Sequence, residues 1–391
     1  MKRPLRIFVS AGEESGDRHG AKIVRALSAL DPSAEIRGLG GPRMAEAGCD
    51  VAHDFTDMAV MWFVDVFKNL RIFVRVFERT VRDLGRWRPH VVVPIDYPGF
   101  NLRLADRAGG MDIPVVYYVS PQFWAWWRGR VARIAEVVDR MMVIFPFEVP
   151  FYRAAGVEAT FVGHPVCEDL HGFRPDPRPL EAAGLPPGHD VVALLPGSRR
   201  SEVKRNLPLM LEAARRLAGE RPGLRFAGSF SRPRLADLAA RIAEDAPVPF
   251  HILEGRIHDL MARSRAALVC AGSATVELAC LGVPMVVLYR VSAPALGLYA
   301  LLNRAPHIAM VNLLAGRRAV PEFLAWRPIP GPLAEALLPL LDEGPARREQ
   351  IRILDRIRKQ LGAPGASTEA ARIVLETARA CRDRREAAGF A

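Results

Sequence analysis

Val191-Val192-Ala193-Leu194-Leu195-Pro196-Gly197-Ser198-Arg199 runs five apolar residues into a glycine turn. Further on, Ala266-Ala267-Leu268-Val269-Cys270-Ala271-Gly272-Ser273-Ala274-Thr275-Val276-Glu277 repeats the pattern. Each apolar run has the length of a buried strand, and each turn opens a helix-like stretch. A strand that feeds a glycine turn at a helix N-terminus presents unpaired N–H groups and the positive end of the helix dipole to a ligand. Two such turns in one half-chain, the first with Arg199 and the second with Glu277, suit a ligand that has a diphosphate and a ribose. A nucleotide sugar fits that description before anything else.

Outward from these turns the same alternation continues. In the second half, strands are expected at Val191–Leu195, Leu224–Gly228, Pro249–Leu253, Ala266–Cys270 and Pro284–Leu288, with helices such as Leu207–Ala218 and Arg234–Ala243 between them. In the first half, strands are expected at Leu5–Ser10, His90–Ile95, Pro114–Val119 and Arg140–Ile144, with helices at Ala21–Leu30 and Val64–Leu84. Near-continuous apolar strands alternating with helices predict parallel sheets covered on both faces. The stretch 169–190 is dense in helix breakers, among them Gly172, Pro175, Pro177, Pro179, Gly184 and Pro186, and reads as a linker. The expected organisation is a Rossmann-like domain over 1–168, the linker over 169–190, and a second Rossmann-like domain over 191–360. A C-terminal helix over 361–391 is expected to pack back on the first domain. Two such domains would hold ligands at the carboxyl ends of their strands, in a central cleft. This is the architecture called GT-B in glycosyltransferases, and other two-Rossmann enzymes share its outline.

A length of 391 residues, half of them hydrophobic and a quarter charged, suits two globular domains. The five cysteines are scattered, with no CxxC and no metal-ligand spacing, which points to reduced thiols and to no metal and no cofactor. The N-terminal apolar stretch is short and runs into Gly12-Glu13-Glu14, so it reads as a first strand and not as a signal peptide. No apolar run reaches the length of a membrane span. A cytoplasmic location, peripheral to a membrane at most, follows as the expectation. The net charge of +11 suits phosphorylated substrates or an anionic lipid surface, and arginine-rich codon usage would also produce it. Nothing in the chain resembles a nucleic-acid module.

Several motifs supply candidate site residues. Ala11-Gly12-Glu13-Glu14-Ser15-Gly16-Asp17 follows the first strand. Glu13, Ser15 and Asp17 either contact an acceptor or a phosphate or, for Ser15 and Asp17, cap a helix starting near His19. Gly38-Leu39-Gly40-Gly41-Pro42-Arg43-Met44 reads as a second turn on the same rim, with Arg43 available to a phosphate. Asp96, in Ile95-Asp96-Tyr97-Pro98-Gly99-Phe100-Asn101, is the first polar residue after an apolar strand. It suits a general base, or a cap for the next helix. Asn101 holds a sugar hydroxyl or caps that helix. Ser120-Pro121-Gln122-Phe123-Trp124-Ala125-Trp126-Trp127-Arg128 sets three tryptophans within four residues, for packing or for sugar faces and acyl chains. The stretch from Met58 to Trp87 is amphipathic and rich in aromatics and arginine, suited to docking on the sheet or to an anionic membrane surface. His164, in Gly163-His164-Pro165, is a hinge, a phosphate contact or a buried structural residue. On the donor side stand Gly197, Ser198 and Arg199 for the diphosphate, and Gly272, Ser273, Thr275 and Glu277 for the rest of the nucleotide.

Taken in order, AGEESGD (Ala11–Asp17), GGPRM (Gly40–Met44), IDYPGFN (Ile95–Asn101), YYVSPQFWAW (Tyr117–Trp126), PFE (Pro146–Glu148), GHP (Gly163–Pro165), LLPGSR (Leu194–Arg199), AGSATVE (Ala271–Glu277) and NLLAGR (Asn312–Arg317) resemble the lipid-A-disaccharide synthase family. The resemblance implies an inverting, metal-independent GT-B glycosyltransferase of lipid A biosynthesis. Its donor would be UDP-2,3-diacylglucosamine and its acceptor 2,3-diacylglucosamine 1-phosphate, joined by a β(1→6) bond with release of UDP. It further implies Asp96 as an essential residue in the role of base. Arg199 and Asn312 are implied as functionally important, Glu277 as the ribose residue, and Glu322 as part of the last recurring motif. Members of the family associate with the cytoplasmic side of the inner membrane and can crystallise as dimers.

One stretch departs from the family pattern: Val60-Met61-Trp62-Phe63-Val64-Asp65-Val66 stands where VMGxxEV is common. The change to Trp62 and Asp65 bears on acyl-chain preference and acceptor identity. The alternatives are a transferase for another lipid acceptor, a UDP-sugar 2-epimerase, and a non-catalytic relative that binds lipid or nucleotide.

Overall fold

The computed structural model describes residues 3–54, 66–121, 123, 131–293, 296–297 and 305–389. They form two compact units, one of residues 1–168 with 361–391 and one of residues 169–360. The stretch 169–190, read from sequence as a linker, belongs to the second unit. There Asp176 N–H donates to Asp259 at 2.8 Å and the Ala183 carbonyl lies 2.7 Å from His251 Nδ1.

The first unit contains β1 (Arg6–Ala11), β2 (Glu35–Gly40), β3 (Asp50–Asp54), β4 (Val91–Ile95), β5 (Val116–Tyr118), β6 (Arg140–Val143) and β7 (Glu158–Phe161). Its helices are α1 (Glu14–Leu30), α2 (Pro42–Glu46), α3 (Val66–Trp87), α4 (Pro98–Gly109), α5 (Val131–Val137), α6 (Glu148–Arg153) and α7 (Pro165–Asp169). The strands make one parallel sheet in the order β3-β2-β1-β4-β5-β6-β7. Phe8, Val92, Tyr117 and Met141 pack on one face against Phe73, Phe100, Leu104 and Ile134, with Phe73 and Phe77 set edge-on to Phe100 at 5.3 and 5.5 Å. α1 packs on β1, β2 and β4.

The second unit contains α8 (Arg178–Ala182), β8 (Val191–Leu195), α9 (Arg200–Glu220), β9 (Arg225–Phe230), α10 (Pro233–Ala243), β10 (Phe250–Glu254) and α11 (Ile257–Arg263). After these come β11 (Ala266–Cys270), α12 (Ala274–Cys280), β12 (Met285–Arg290), α13 (Met310–Ala315), β13 (Glu322–Ala325), α14 (Pro330–Leu337) and α15 (Pro345–Gln360). The order β10-β9-β8-β11-β12-β13 is again parallel throughout. β8 and β11 are buried along their whole length, which accounts for their unbroken apolar sequence. The last helix, α16 (Ala366–Ala387), returns to the first unit and packs on α1, β4 and β5.

Four strands were not anticipated: β2, β3, β7 and β13. In β2, Glu35-Ile36-Arg37-Gly38-Leu39-Gly40, the last three residues are strand where the glycines predict a turn. Its glycines allow the close approach of neighbouring backbone at Gly38 and of a side chain at Gly40. A Cβ on Gly38 would collide with the Val9 carbonyl, and one on Gly40 with Met44. α1 also starts earlier than expected, at Glu14, with Glu13 as its N-cap.

The collision at Gly38 is with backbone and cannot be relieved by a rotamer change. Gly38→Ala should therefore lower the unfolding free energy by about 1–3 kcal/mol, seen as a lower melting temperature by circular dichroism. A melt unchanged within error would contradict the packing described.

Candidate active site

In each sheet the strand order reverses at one place: between β1 and β4 in the first unit, and between β8 and β11 in the second. Chain segments leave the two central strands in opposite directions there, so open space forms at their carboxyl ends. Asp96 follows β4 at one reversal. The two glycine turns follow β8 and β11 at the other.

Asp96 and Tyr97 both take left-handed backbone conformations, φ 44° and 49°. Neither is glycine, so each conformation costs of order 1 kcal/mol. Hydrogen bonds hold them. Asp96 N–H donates to the Tyr118 carbonyl at 3.0 Å, and the Asp96 carbonyl accepts from Tyr117 OH at 2.6 Å and Asn101 Nδ2 at 2.8 Å. Gly12 lies against the Tyr97 ring so closely that any side chain there would collide with it. Burial, followed by the nearby Glu13, raises the Asp96 carboxyl from the usual carboxylate range to about 6, against a bond from the Tyr97 N–H. The group is then mostly ionised at neutral pH yet holds a proton far better than an ordinary aspartate, as a general base requires.

Asn101 is fully buried, and its amide is engaged within the fold. Its Nδ2 also lies 3.1 Å from the Ile95 carbonyl and 3.3 Å from that of Ser10, and its Oδ1 accepts from Ser10 Oγ at 2.7 Å. It ties the ends of β1 and β4 together. Asp17 is buried within α1. Its carboxylate accepts from the N–H groups of Gly41 (2.8 Å), Arg43 (3.1 Å) and Met44 (3.0 Å), so it caps α2 rather than its own helix. Glu13 is half-buried, Ser15 is exposed, and the half-exposed Arg43 guanidinium stands 3.7 Å from Glu14. His164 is buried, with Nδ1 accepting from Val166 N–H at 3.2 Å and its ring 5.0 Å from that of Phe145. Gln122 and the tryptophans Trp124, Trp126 and Trp127 lie outside the described residues, as do Trp62 and Asp65.

A buried carboxylate beside this site was not singled out from sequence. Glu148 is 1% exposed, accepts Ser120 Oγ–H at 2.6 Å and Phe145 N–H at 3.2 Å, and so joins the ends of β5 and β6. One turn along α6, Tyr152 OH donates to the Pro121 carbonyl at 2.7 Å. The only advance signal was the motif Pro146-Phe147-Glu148 itself.

In the second unit, β8 and β11 are hydrogen-bonded neighbours, with Leu195 opposite Val269. Their parallel pairing is what sets the two glycine turns side by side. Gly197 has φ 118°, and a Cβ on it would strike Glu202. Glu202 Oε2 accepts from the N–H groups of Ser198 (2.9 Å) and Arg199 (3.1 Å), while Oε1 accepts from Arg199 Nη1 at 3.1 Å. The donors expected to meet a diphosphate are thus engaged by the chain's own carboxylate, in a capping-box arrangement. At the second turn Gly272 and Ser273 are exposed. Thr275 is buried, and its hydroxyl donates to the Gly272 carbonyl at 2.8 Å, shaping the turn instead of presenting a ligand contact. Glu277 is 8% exposed, with Oε2 3.0 Å from His258 Nε2.

Asn312 and Glu322 are braces. Asn312 is fully buried, donates to the Val320 carbonyl at 3.0 Å and accepts from Ala319 and Val320 N–H at 2.8 Å each. Glu322 accepts from Ile308 and Ala309 N–H at 3.0 and 2.8 Å and stands 3.1 Å from His307, which fixes the entry to α13. Among the described residues no group of three His, Cys, Asp or Glu side chains is placed to hold a metal ion. A cavity of about 420 Å³, lined by Arg37, Asp50, Asp83 and Trp87 among others, lies at the β2–β3 edge beside α3 and not at these strand ends.

A family model described as lipid-A-disaccharide synthetase matches residues 7–376. Proteins named lipid-A-disaccharide synthase from Trichlorobacter lovleyi and Myxococcus xanthus are each 40% identical to this chain. The matches cover 95% and 96% of this chain, and 97% and 98% of those proteins. Among solved structures, the glycotransferase of kitacinnamycin has a TM-score of 0.62 at 17% identity over 96% of this chain and 99% of that one. The S. aureus MnaA–UDP structure has a TM-score of 0.63 at 12% identity over 94% of each chain. These two establish a GT-B fold. The chain belongs to the lipid-A-disaccharide synthase family and is a glycosyltransferase of lipid A biosynthesis.

Because the Asp96 pKa is higher in the folded chain than in the unfolded one, its charge destabilises the fold above pH 6, and the penalty disappears below the usual carboxylate range. Asp96→Asn should therefore raise stability at pH 8 by up to about 3 kcal/mol, a gain that fades as pH falls from 6 towards 4. Thermal melts across pH check this. A variant less stable at every pH would contradict it.

Proposed function

We propose that the chain joins UDP-2,3-diacylglucosamine to the 6-hydroxyl of 2,3-diacylglucosamine 1-phosphate by inverting displacement, giving the β(1→6) disaccharide 1-phosphate and UDP. Family membership supports the reaction. The geometry that carries the mechanism is Asp96, held at a sheet reversal in a strained backbone that the surrounding hydrogen bonds maintain, with its carboxyl poised near 6.

In this mechanism Asp96 accepts the proton of the 6-hydroxyl as that oxygen attacks the anomeric carbon. The bond from the anomeric carbon to the diphosphate oxygen breaks, and its electron pair leaves with UDP. The second unit binds UDP. Arg199 and the N–H groups of Ser198 and Arg199 stabilise the developing diphosphate charge, with Gly272 and Ser273 giving close backbone approach and Glu277 taking the ribose hydroxyls. Since Glu202 engages those same donors, diphosphate binding exchanges one anion for another: Glu202 swings out as the diphosphate enters. On the acceptor side Glu13, Ser15 and Arg43 remain as surface contacts, with Asn101, Asp17 and His164 acting behind them as supports.

Both substrates carry acyl chains, and α3 suits the membrane surface that holds them. Ile72 and Val74 are 44% and 43% exposed beside the exposed Arg75, Arg79, Arg82 and Arg86, a combination that favours anionic lipid. No helix of the described residues is long and apolar enough to cross a membrane.

Purified protein incubated with both substrates should yield disaccharide 1-phosphate by mass spectrometry. It should show no turnover of UDP-N-acetylglucosamine when the acceptor is withheld; epimerisation in that arm would favour the rival activity. Asp96→Asn should lower the transfer rate by about 10²–10⁴-fold. The wild-type rate should rise with pH to a plateau, with a midpoint near 6. Near-wild-type transfer by the Asn variant would remove Asp96 from the mechanism.

Glu202→Gln should bind UDP several-fold more tightly in calorimetry while losing about 1 kcal/mol of stability through the weakened cap. Weaker UDP binding would mean that Glu202 stays in place when the nucleotide is bound.

A further inference from the structure

Among the described residues the second unit contains two histidine–glutamate pairs, and they differ in what is left over. In the His307–Glu322 pair the carboxylate also accepts two backbone N–H groups, so its lone pairs serve the fold. In the other pair, His258 Nε2 lies 3.0 Å from Glu277 Oε2, and among the described residues no backbone N–H reaches that carboxylate. The His258 and Glu277 side chains are 28% and 10% exposed, so both remain accessible to a ligand. His258 is the second residue of α11, after β10, and Glu277 lies in the first turn of α12, after β11, which places the pair at the strand ends where the second glycine turn sits. Phe173 meets the imidazole edge-on at 5.9 Å and 72°.

A carboxylate offers about four acceptor positions, and a vicinal diol can use two of them only if the plane of the group is fixed. An imidazole donor on one oxygen fixes that plane and offsets the cost of keeping the group charged at low exposure. We propose that His258 is a positioning residue for the nucleotide's ribose. It donates from Nε2 to Glu277, orients the carboxylate so that it accepts both ribose hydroxyls, and sets the preference for a ribonucleotide over its 2′-deoxy counterpart. This rests on the assignment of Glu277 to the ribose.

The test measures Kd for UDP and for 2′-deoxy-UDP by calorimetry on the full chain and on His258→Phe, His258→Gln and Glu277→Ala, each checked by thermal melt. The wild type should prefer UDP by about tenfold. His258→Phe should reduce that preference to within about threefold by weakening UDP while leaving 2′-deoxy-UDP nearly unchanged. His258→Gln, whose amide nitrogen falls where Nε2 was, should restore most of it. A merely structural role would weaken both nucleotides alike and keep their ratio. An unchanged ratio in His258→Phe, or no rescue by Gln, overturns the proposal. If Glu277→Ala collapses the preference and His258→Phe does not, only the role of His258 fails. If Glu277→Ala keeps wild-type affinity and preference, the ribose assignment fails and this inference with it.

Discussion

The first unit depends on one buried amide. Asn101 takes hydrogen bonds from or gives them to Ser10, Ile95 and Asp96, so it spans the two strands between which the sheet reverses. Backbone carbonyls at the end of a parallel strand have no further strand to pair with, and burying them unpaired would cost on the order of 1–3 kcal/mol each. A single primary amide brings its two N–H groups within reach of three carbonyls here, those of Asp96, Ile95 and Ser10. In doing so it holds the chain in the left-handed turn that carries Asp96. The position of the proposed base and the hydrogen bonds of the sheet end therefore depend on the same contacts.

The acidic residues around both sites divide on the same principle. Asp17, Glu148, Glu202 and Glu322 each accept backbone N–H groups that helix or strand ends leave unpaired. They are internal anions, and among them only Glu202 occupies donors that a diphosphate would want. Asp96 and Glu277 differ. Each accepts at most one such bond, each retains lone pairs, and each stands at a sheet reversal. Under the proposed function, these are the two carboxylates that meet substrate hydroxyls.

The apolar patterning carried the fold class. β8 and β11 occupy the expected residues because buried parallel strands require apolar side chains on both faces, and that leaves a continuous run. β2 and β13 left no such run. Two of the six residues of β2 are glycine, Gly38 beneath the Val9 carbonyl and Gly40 against the Met44 side chain, and β13 is a four-residue edge strand with an acidic first residue. α1 was begun too late for a similar reason: its N-cap is Glu13, which makes no side-chain cap bond.

By itself the sequence determined the alternation of strands and helices and the position of two glycine turns and one strand-end aspartate, because turn chemistry and apolar periodicity are local and written in consecutive residues. Only the tertiary structure decided which polar residues are engaged by the fold itself. Asn101, Thr275, Asn312 and Glu322 look like site residues in a motif, yet their hydrogen bonds are taken up by backbone. His258 belongs to no quoted motif and holds Glu277 from another helix. A hydrogen-bond partner many residues away leaves no mark on local sequence, so the difference between a ligand contact and a brace appears only once the strands are laid side by side.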